Sequence, residues 1–383
     1  MKKLTLLPRI IIAILLGVLL GQWMPEAGVR VFVTYNYLFS QFLGFLIPLI
    51  IIGLIVPAIS EIGQSAGRLL LLTVGLAYAD TLIAGLLGYA TGTTLFPSLV
   101  AQNASLAVDK ADKLIPFFTL DIPPILDVMA ALVSSFVIGI GIAYSDSPTL
   151  KQASQEFRTI MEKTIQVAII PLLPLYIFGI FMSMTFTGEA YRIIIIFAKV
   201  ICIIFILHIL ILLYEYLIAG IMARKNPLRL LANMLPAYLT ALGTSSSAAT
   251  IPVTLRQTLK NGVSNEIASF CVPLYATIHL SGSMMKITCC ALTVCLISGL
   301  PHSFPLFMHF ILILGICMVA APGVPGGAVM AALAPLGGIL GFNSDAQALM
   351  IALYIAMDSF GTACNVTGDG ALAIITEQLH KGK

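Results

Sequence analysis

The chain has 383 residues, 59% of them hydrophobic and only 10% charged, with a mean hydropathy of +1.03. A soluble domain of this length needs more charge than that to cover a hydrated surface, so lipid must solvate much of the exterior. The formal net charge of +3 argues against a nucleic-acid partner.

The N-terminus, Met1 to Arg9 followed by Ile10–Gly21, has the look of a signal peptide. No small-x-small cleavage site follows and more apolar segments do, so it reads as a retained first span. A spanning helix needs about 20 mostly apolar residues, and runs of that kind lie near 10–30, 36–60, 68–96, 115–145, 158–186 and 192–222. Between the third and fourth, the polar stretch Gln102 to Lys113 reads as an exposed loop. All seven cysteines (Cys202, Cys271, Cys289, Cys290, Cys295, Cys317, Cys364) fall in apolar stretches without a C-x-x-C pair and read as packing residues.

After Lys225 the pattern changes. The segment 226–258 is broken by Gly243-Thr244-Ser245-Ser246-Ser247, and the run 264–298 by His279-Leu280-Ser281-Gly282-Ser283. The run 304–342 carries Ala321-Pro322-Gly323-Val324-Pro325-Gly326-Gly327 at its centre, and 345–380 contains Asp358, Asn365, Thr367 and Asp369. Irregular backbone at membrane depth persists only where protein or water satisfies its polar groups. Two broken segments, each followed by a helix interrupted by polar residues, form a repeat whose discontinuous elements meet at a midplane site, which points to a transporter.

With a cytoplasmic N-terminus and each broken segment a re-entrant hairpin, Lys2, Lys3, Arg9, Arg68, Lys151, Arg158, Lys163, Arg224, Lys225, Arg229, Arg256, Lys260, Lys381 and Lys383 fall inside, against Arg30, Lys110, Lys113 and Arg192 outside. That bias is the one expected of a cytoplasmic face. Both termini are then cytoplasmic.

Three motifs resemble the dicarboxylate/amino acid:cation symporter family, the glutamate-transporter fold. Thr244-Ser-Ser-Ser-Ala-Ala-Thr-Ile-Pro-Val-Thr254 is similar to the serine-rich tip of its first hairpin, Gly323-Val-Pro-Gly-Gly327 to the tip of its second, and Asn365-Val-Thr-Gly-Asp369 to the polar core of its eighth span. Phe45–Ser60, with Pro48, is similar to its second span. The resemblance implies an all-α integral membrane fold of eight transmembrane helices and two re-entrant helical hairpins (226–258 and 304–342), with inverted-repeat features. It implies a scaffold part (1–65 and 115–190), a moving transport part (66–98 and 191–383), a homotrimer and a bacterial inner membrane. The second hairpin tip would be the mobile gate.

A zwitterion at the midplane needs donors for its carboxylate and an acceptor for its ammonium. Hydroxyls and free N–H groups where two half-helices join suit the carboxylate; the alternative is that the serines only cap helices. By resemblance Ser246, Ser247 and Asn365 serve the carboxylate, Asp358 takes the ammonium, and Ser283, Val324, Gly361 and Thr362 complete the site. Asp358 and Asn365, seven residues apart, share a helix face with Thr362 between them; a structural salt bridge is the competing role for Asp358. By the same resemblance Asn365 and Asp369 help hold sodium.

Departures matter equally. Where acidic-substrate members carry an arginine three residues after the ammonium-binding acid, this chain has Gly361; a basic position on the first hairpin is Ser245. Burying a substrate carboxylate without a fixed cation is costly, so a neutral amino acid is expected. The family's seventh-span Asn-Met-Asp-Gly-Thr reads His279-Leu280-Ser281-Gly282-Ser283, which removes a sodium-binding carboxylate and asparagine, although Thr277 still matches. Asp80, His279 and Lys286 are intramembrane ionisable residues and hence coupling candidates, as a proton relay or fixed-charge substitute; the alternative is a structural Asp80–Lys286 pair beside a neutral His279. The coupling ion is therefore Na+ or H+. The remaining alternatives are an acidic amino acid or dicarboxylate symporter and an anion-conducting, channel-like member. No H-E-x-x-H, G-x-S-x-G or metal-ligand cluster appears, so no enzyme is expected and no cofactor beyond the coupling ion.

Overall fold

The computed structural model describes residues 6–64, 68–102, 114–145, 147–321 and 325–381, and in them the regular structure is helical throughout. The exposed loop expected at 102–113 falls, except for Gln102, outside the described residues, as do Pro322, Gly323 and Val324 of the second tip.

Helix α1 (Leu6–Gly21) ends before Pro25, whose ring disfavours helical backbone at the residue preceding it. The run expected to reach residue 30 thus gives its second part to α2 (Glu26–Gln64), which absorbs Pro48 and Pro57. After α3 (Arg68–Gln102), the segment Ile115–Asp127 is irregular, with Pro116, Pro123 and Pro124, and α4 is confined to Val128–Tyr144. The span expected at 115–145 is shorter for that reason. The expected run 158–186 begins earlier, as α5 (Pro148–Thr164) continues through a π-turn at Ile165–Ile169 into α6 (Ile170–Phe186). Then comes α7 (Ala190–Ala223).

Beyond it every segment is broken, at a polar stretch or at glycine and proline. Short α8 (Pro227–Asn233) leads to α9 (Leu235–Thr244) and α10 (Ser247–Lys260), which pack on each other across a link where Ser245 is left-handed (φ 50°). At roughly 1.5 Å per residue, neither helix crosses a hydrocarbon core about 30 Å thick. His279 and Leu280 separate α11 (Asn265–Ile278) from α12 (Ser281–Ser298). Helices α13 (Phe304–Val319) and α14 (Gly327–Gly338) form the second short pair. Helix α15 (Ser344–Ala356) turns by 62° at Met357 into α16 (Asp358–Lys381).

Among the described residues five helical stretches are long and apolar enough to cross a membrane, or six if the bent α15–α16 pair is one span. The protein is an all-helical integral membrane protein. Large apolar side chains remain exposed along α4 (Val133, Val137, Ile138) and α7 (Ile206, Ile209, Leu217, Ile221), as lipid contact requires, while Trp23, Tyr144 and Tyr191 stand exposed at helix ends where aromatic rings meet headgroups. Helices α1, α2, α4, α5 and α6 pack chiefly on one another. So do α3, α7 and α9–α13 around α16, with α14 and α15 touching both groups.

Candidate functional site

Helix α16 organises the interior. Its first residue is Asp358, and Asp358, Thr362, Asn365 and Asp369 are all buried on it. Two polar clusters meet this helix.

The first surrounds its N-terminal end. Asp358 Oδ2 accepts the N–H of Gly326 at 2.8 Å. Gly326 lies at the tip between α13 and α14 in the left-handed region (φ 76°), which a residue without Cβ adopts at no steric cost. Asp358 Oδ1 lies 3.5 Å from the ammonium of Lys286, a fully buried side chain on α12. That ammonium also stands 3.5 Å from the centroid of the Tyr354 ring. The Lys286 side chain fills the room beside Gly361, since a Cβ built there would lie 2.7 Å from Nζ. Lys286 is therefore the basic partner of Asp358; α16 itself carries basic side chains only at its far end, His380 and Lys381.

One to two turns along, Asn365 and Ser283 interlock. Ser283 N–H donates to Asn365 Oδ1 at 3.2 Å, and Asn365 Nδ2 donates to Ser283 Oγ at 3.1 Å. The Ser283 hydroxyl also shares a 3.3 Å hydrogen bond with Tyr354 Oη. Thr362 Oγ1 donates to its own helix, at Asp358 O. The serine tip reaches the same end of α16 through Ser245 and Ser359, whose hydroxyls lie 2.6 Å apart. Ser246 caps α10 by accepting Ala249 N–H at 3.3 Å, and Ser247 is buried at the start of that helix.

The second cluster is deeper and more acidic. The break between α11 and α12 presents His279, whose Nε2 meets Asp80 Oδ2 and whose Nδ1 meets Asp369 Oδ1, each at 2.9 Å. An ionised carboxylate only accepts, so two such partners require both ring nitrogens to donate. Ser281 Oγ donates to Glu215 Oε1 at 3.1 Å, and ligand atoms of Asp80, Glu215 and His279 lie within 4.8 Å of one another. Gly368 lets this group approach α16, since a Cβ there would collide with Glu215 Oε2 and His279 Cε1. Glu215 Oε2, Asp369 Oδ2 and Thr367 Oγ1 are buried without a hydrogen-bond partner.

Asp80 and His279 thus lie together, whereas Lys286 belongs to the first cluster with Asp358; no Asp80–Lys286 pair forms. The sequence reading missed Glu215 and Tyr354. Glu215 carried a usable signal, an acid inside the run 192–222, and the rule that singled out Asp80 applies to it equally. Tyr354 carried none, because an aromatic ring in an apolar helix is ordinary.

A sequence profile described as the Sodium:dicarboxylate symporter family matches residues 6–379. A relative over nearly the full length is "Serine/threonine transporter SstT" of Acinetobacter baumannii, 27% identical over 388 residues and covering 96% of this chain and 95% of that protein. "Excitatory amino acid transporter 3" of Mus musculus is 34% identical over 162 residues, 42% of this chain and 31% of that protein. "Excitatory amino acid transporter 1" of Rattus norvegicus is 30% identical over 162 residues, 42% of this chain and 30% of that protein.

Proposed function

The chain belongs to the Sodium:dicarboxylate symporter family, a family of transporters rather than enzymes, and we propose that it carries a neutral amino acid, with a cation, across the bacterial inner membrane. The observation that carries this reading is the donor and acceptor set along α16. Asp358 is the acceptor for a substrate ammonium, and Asn365, Ser283 and the Ser246–Ser247 tip are donors for its carboxylate, with Thr362 on the same helix. Gly361 leaves no arginine on that helix, and Lys286 is already balanced by Asp358. The near-full-length relative is named for serine and threonine transport.

One observation favours an acidic substrate instead. The Lys286 ammonium takes the space that a side chain at Gly361 would need and restores a fixed cation beside Asp358. Uptake of labelled serine into proteoliposomes, competed by threonine, alanine, aspartate and glutamate, separates the two. Neutral amino acids competing best is the expected result; preferential uptake of aspartate or glutamate overturns the neutral reading.

The coupling cation belongs with the second cluster. Two carboxylates, Asp80 and Asp369, bond one imidazole and a third, Glu215, lies beside it, and a doubly protonated ring cancels only one charge. A sodium ion or protons must balance the rest, and the unpartnered oxygens of Asp369 and Glu215 are available to either. With His279 and Ser281 standing where family members have two sodium ligands, sodium dependence is weaker than in a typical member and transport responds to pH. The two packed helix groups support movement of the α16-centred group against a scaffold (1–65 and 115–190); re-entrant short helix pairs and a three-copy assembly follow from the family resemblance, and cytoplasmic termini from the Lys and Arg bias.

A further inference from the structure

Lys286 is fully buried, yet its compensation is thin. Its ammonium carries three protons. Nζ reaches Asp358 Oδ1 and Met357 O at 3.5 Å each, the outer limit of a hydrogen bond, and otherwise faces the Tyr354 ring. Asp358 gives its shorter bond to Gly326 N–H. A buried ammonium without a close oxygen acceptor is costly, so the geometry calls for one more acceptor. The ammonium itself fills the room that a side chain at Gly361 would need, since a Cβ there would lie 2.7 Å from Nζ and push it away. Ser283, one turn earlier on α12, shares this face of the helix and is bonded to Asn365 and Tyr354. Lys286 thus stands beside both groups assigned to the substrate: it contacts Asp358 directly, and Ser283, one turn away, holds Asn365.

We propose that Lys286 is a specificity-determining residue of this site, its ammonium donating to a neutral oxygen, a hydroxyl or amide carbonyl, at the end of the substrate's side chain. The proposal rests on the reading of this pocket as an amino-acid site. Charge balance selects the neutral acceptor. Asp358 and Lys286 cancel, and a zwitterion adds no net charge, whereas a side-chain carboxylate leaves the buried site negative. When the substrate ammonium draws on Asp358, Lys286 loses part of its counter-charge, and a polar side chain compensates where a methyl group does not.

The test is binding of L-serine against L-alanine, and of L-threonine against L-valine, to the full chain in nanodiscs. Serine is expected to bind about tenfold more tightly than alanine, the size of a net hydrogen bond to a charged group. In Lys286→Met that ratio should fall to near unity with alanine still bound. Because Lys286→Met also strips Asp358 of its partner, Gly361→Ala is the second variant; it keeps both charges and displaces the ammonium, and the serine advantage should shrink there too. Equal binding of serine and alanine by the unmodified protein, or a serine advantage that persists in whichever variants fold, overturns the proposal. Loss of alanine binding along with serine overturns it as well, since it marks Lys286 as a structural partner of Asp358 rather than a reader of the side chain. If the unmodified protein binds no amino acid at all, the amino-acid reading itself falls and takes this assignment with it.

Discussion

The two buried clusters on α16 differ in charge balance. Asp358 and Asp369 stand eleven residues apart, about 16 Å along the helix, each with a basic side chain from α12 or from the break before it. At Asp358 one carboxylate faces one ammonium. At Asp369 three carboxylates crowd one imidazole, and two acid oxygens have no partner. A balanced pair accepts a ligand that brings no net charge and offers both a cation and an anion, which is a zwitterion. An acid-heavy cluster accepts a cation. On the proposed reading, coupling of the two needs no long-range signal, because α16 and α12 each contribute side chains to both clusters.

The sharpest way to break this comparison is to unbalance the balanced end. Asp358→Asn removes the acceptor for the substrate ammonium and leaves Lys286 buried and uncompensated. Breaking a buried ion pair by removing one partner costs about 3 kcal/mol or more, and the amino-acid Kd should rise by about a hundredfold or more. Calorimetry on the folded, inserted variant checks this; an unchanged Kd removes Asp358 from the substrate site. At the acidic end the expected effect is smaller and of another kind. Asp369→Asn takes one partner from His279 and one free oxygen from the cation. The concentration of coupling cation for half-maximal uptake should rise roughly tenfold, as for a lost charged hydrogen bond, with the amino-acid Kd at saturating cation little changed. A matching loss of amino-acid affinity would mean that the two clusters are one site.

Much of this was legible in the sequence because polar residues inside apolar runs have few explanations. The breaks at Ser245, His279, Gly326 and Met357 all fall in segments marked by glycine, proline, serine or buried acid. The partnership of Asp358 was not legible. Lys286 lies on a different helix, 72 positions away, and only the packing of α12 on α16 across Gly361 brings the two together. Helix ends near prolines were misjudged where apolar composition continued through them, as at Ile115–Asp127. Glu215 shows a different limit. Its segment was ordinary in pattern, and a single acid weighed little against so long an apolar run.

Glu215 also supplies the finest test of the comparison. It does not touch His279 through a hydrogen bond; its Oε1 accepts from Ser281 and its Oε2 has no partner. Glu215→Gln preserves shape and an oxygen for Ser281 to donate to, while removing one of three negative charges. If the excess of carboxylates draws in the cation, the cation concentration for half-maximal uptake should rise by about three- to tenfold, the scale of one ordinary net hydrogen bond. Asp369 remains to hold the ion, so coupling itself should survive. The measurement is uptake into proteoliposomes with sodium and proton gradients imposed separately, for the unmodified protein, Glu215→Gln and, as references for the histidine bridge, Asp80→Asn and His279→Asn. The unmodified protein is expected to respond to both gradients, and Glu215→Gln to shift whichever response dominates while leaving the amino-acid Kd alone. Steep, cooperative sodium activation with no response to protons, unaltered by Glu215→Gln, would show that the cation binds away from this cluster. The acidic end of α16 would then be a structural network, and the division of labour along the helix would be wrong.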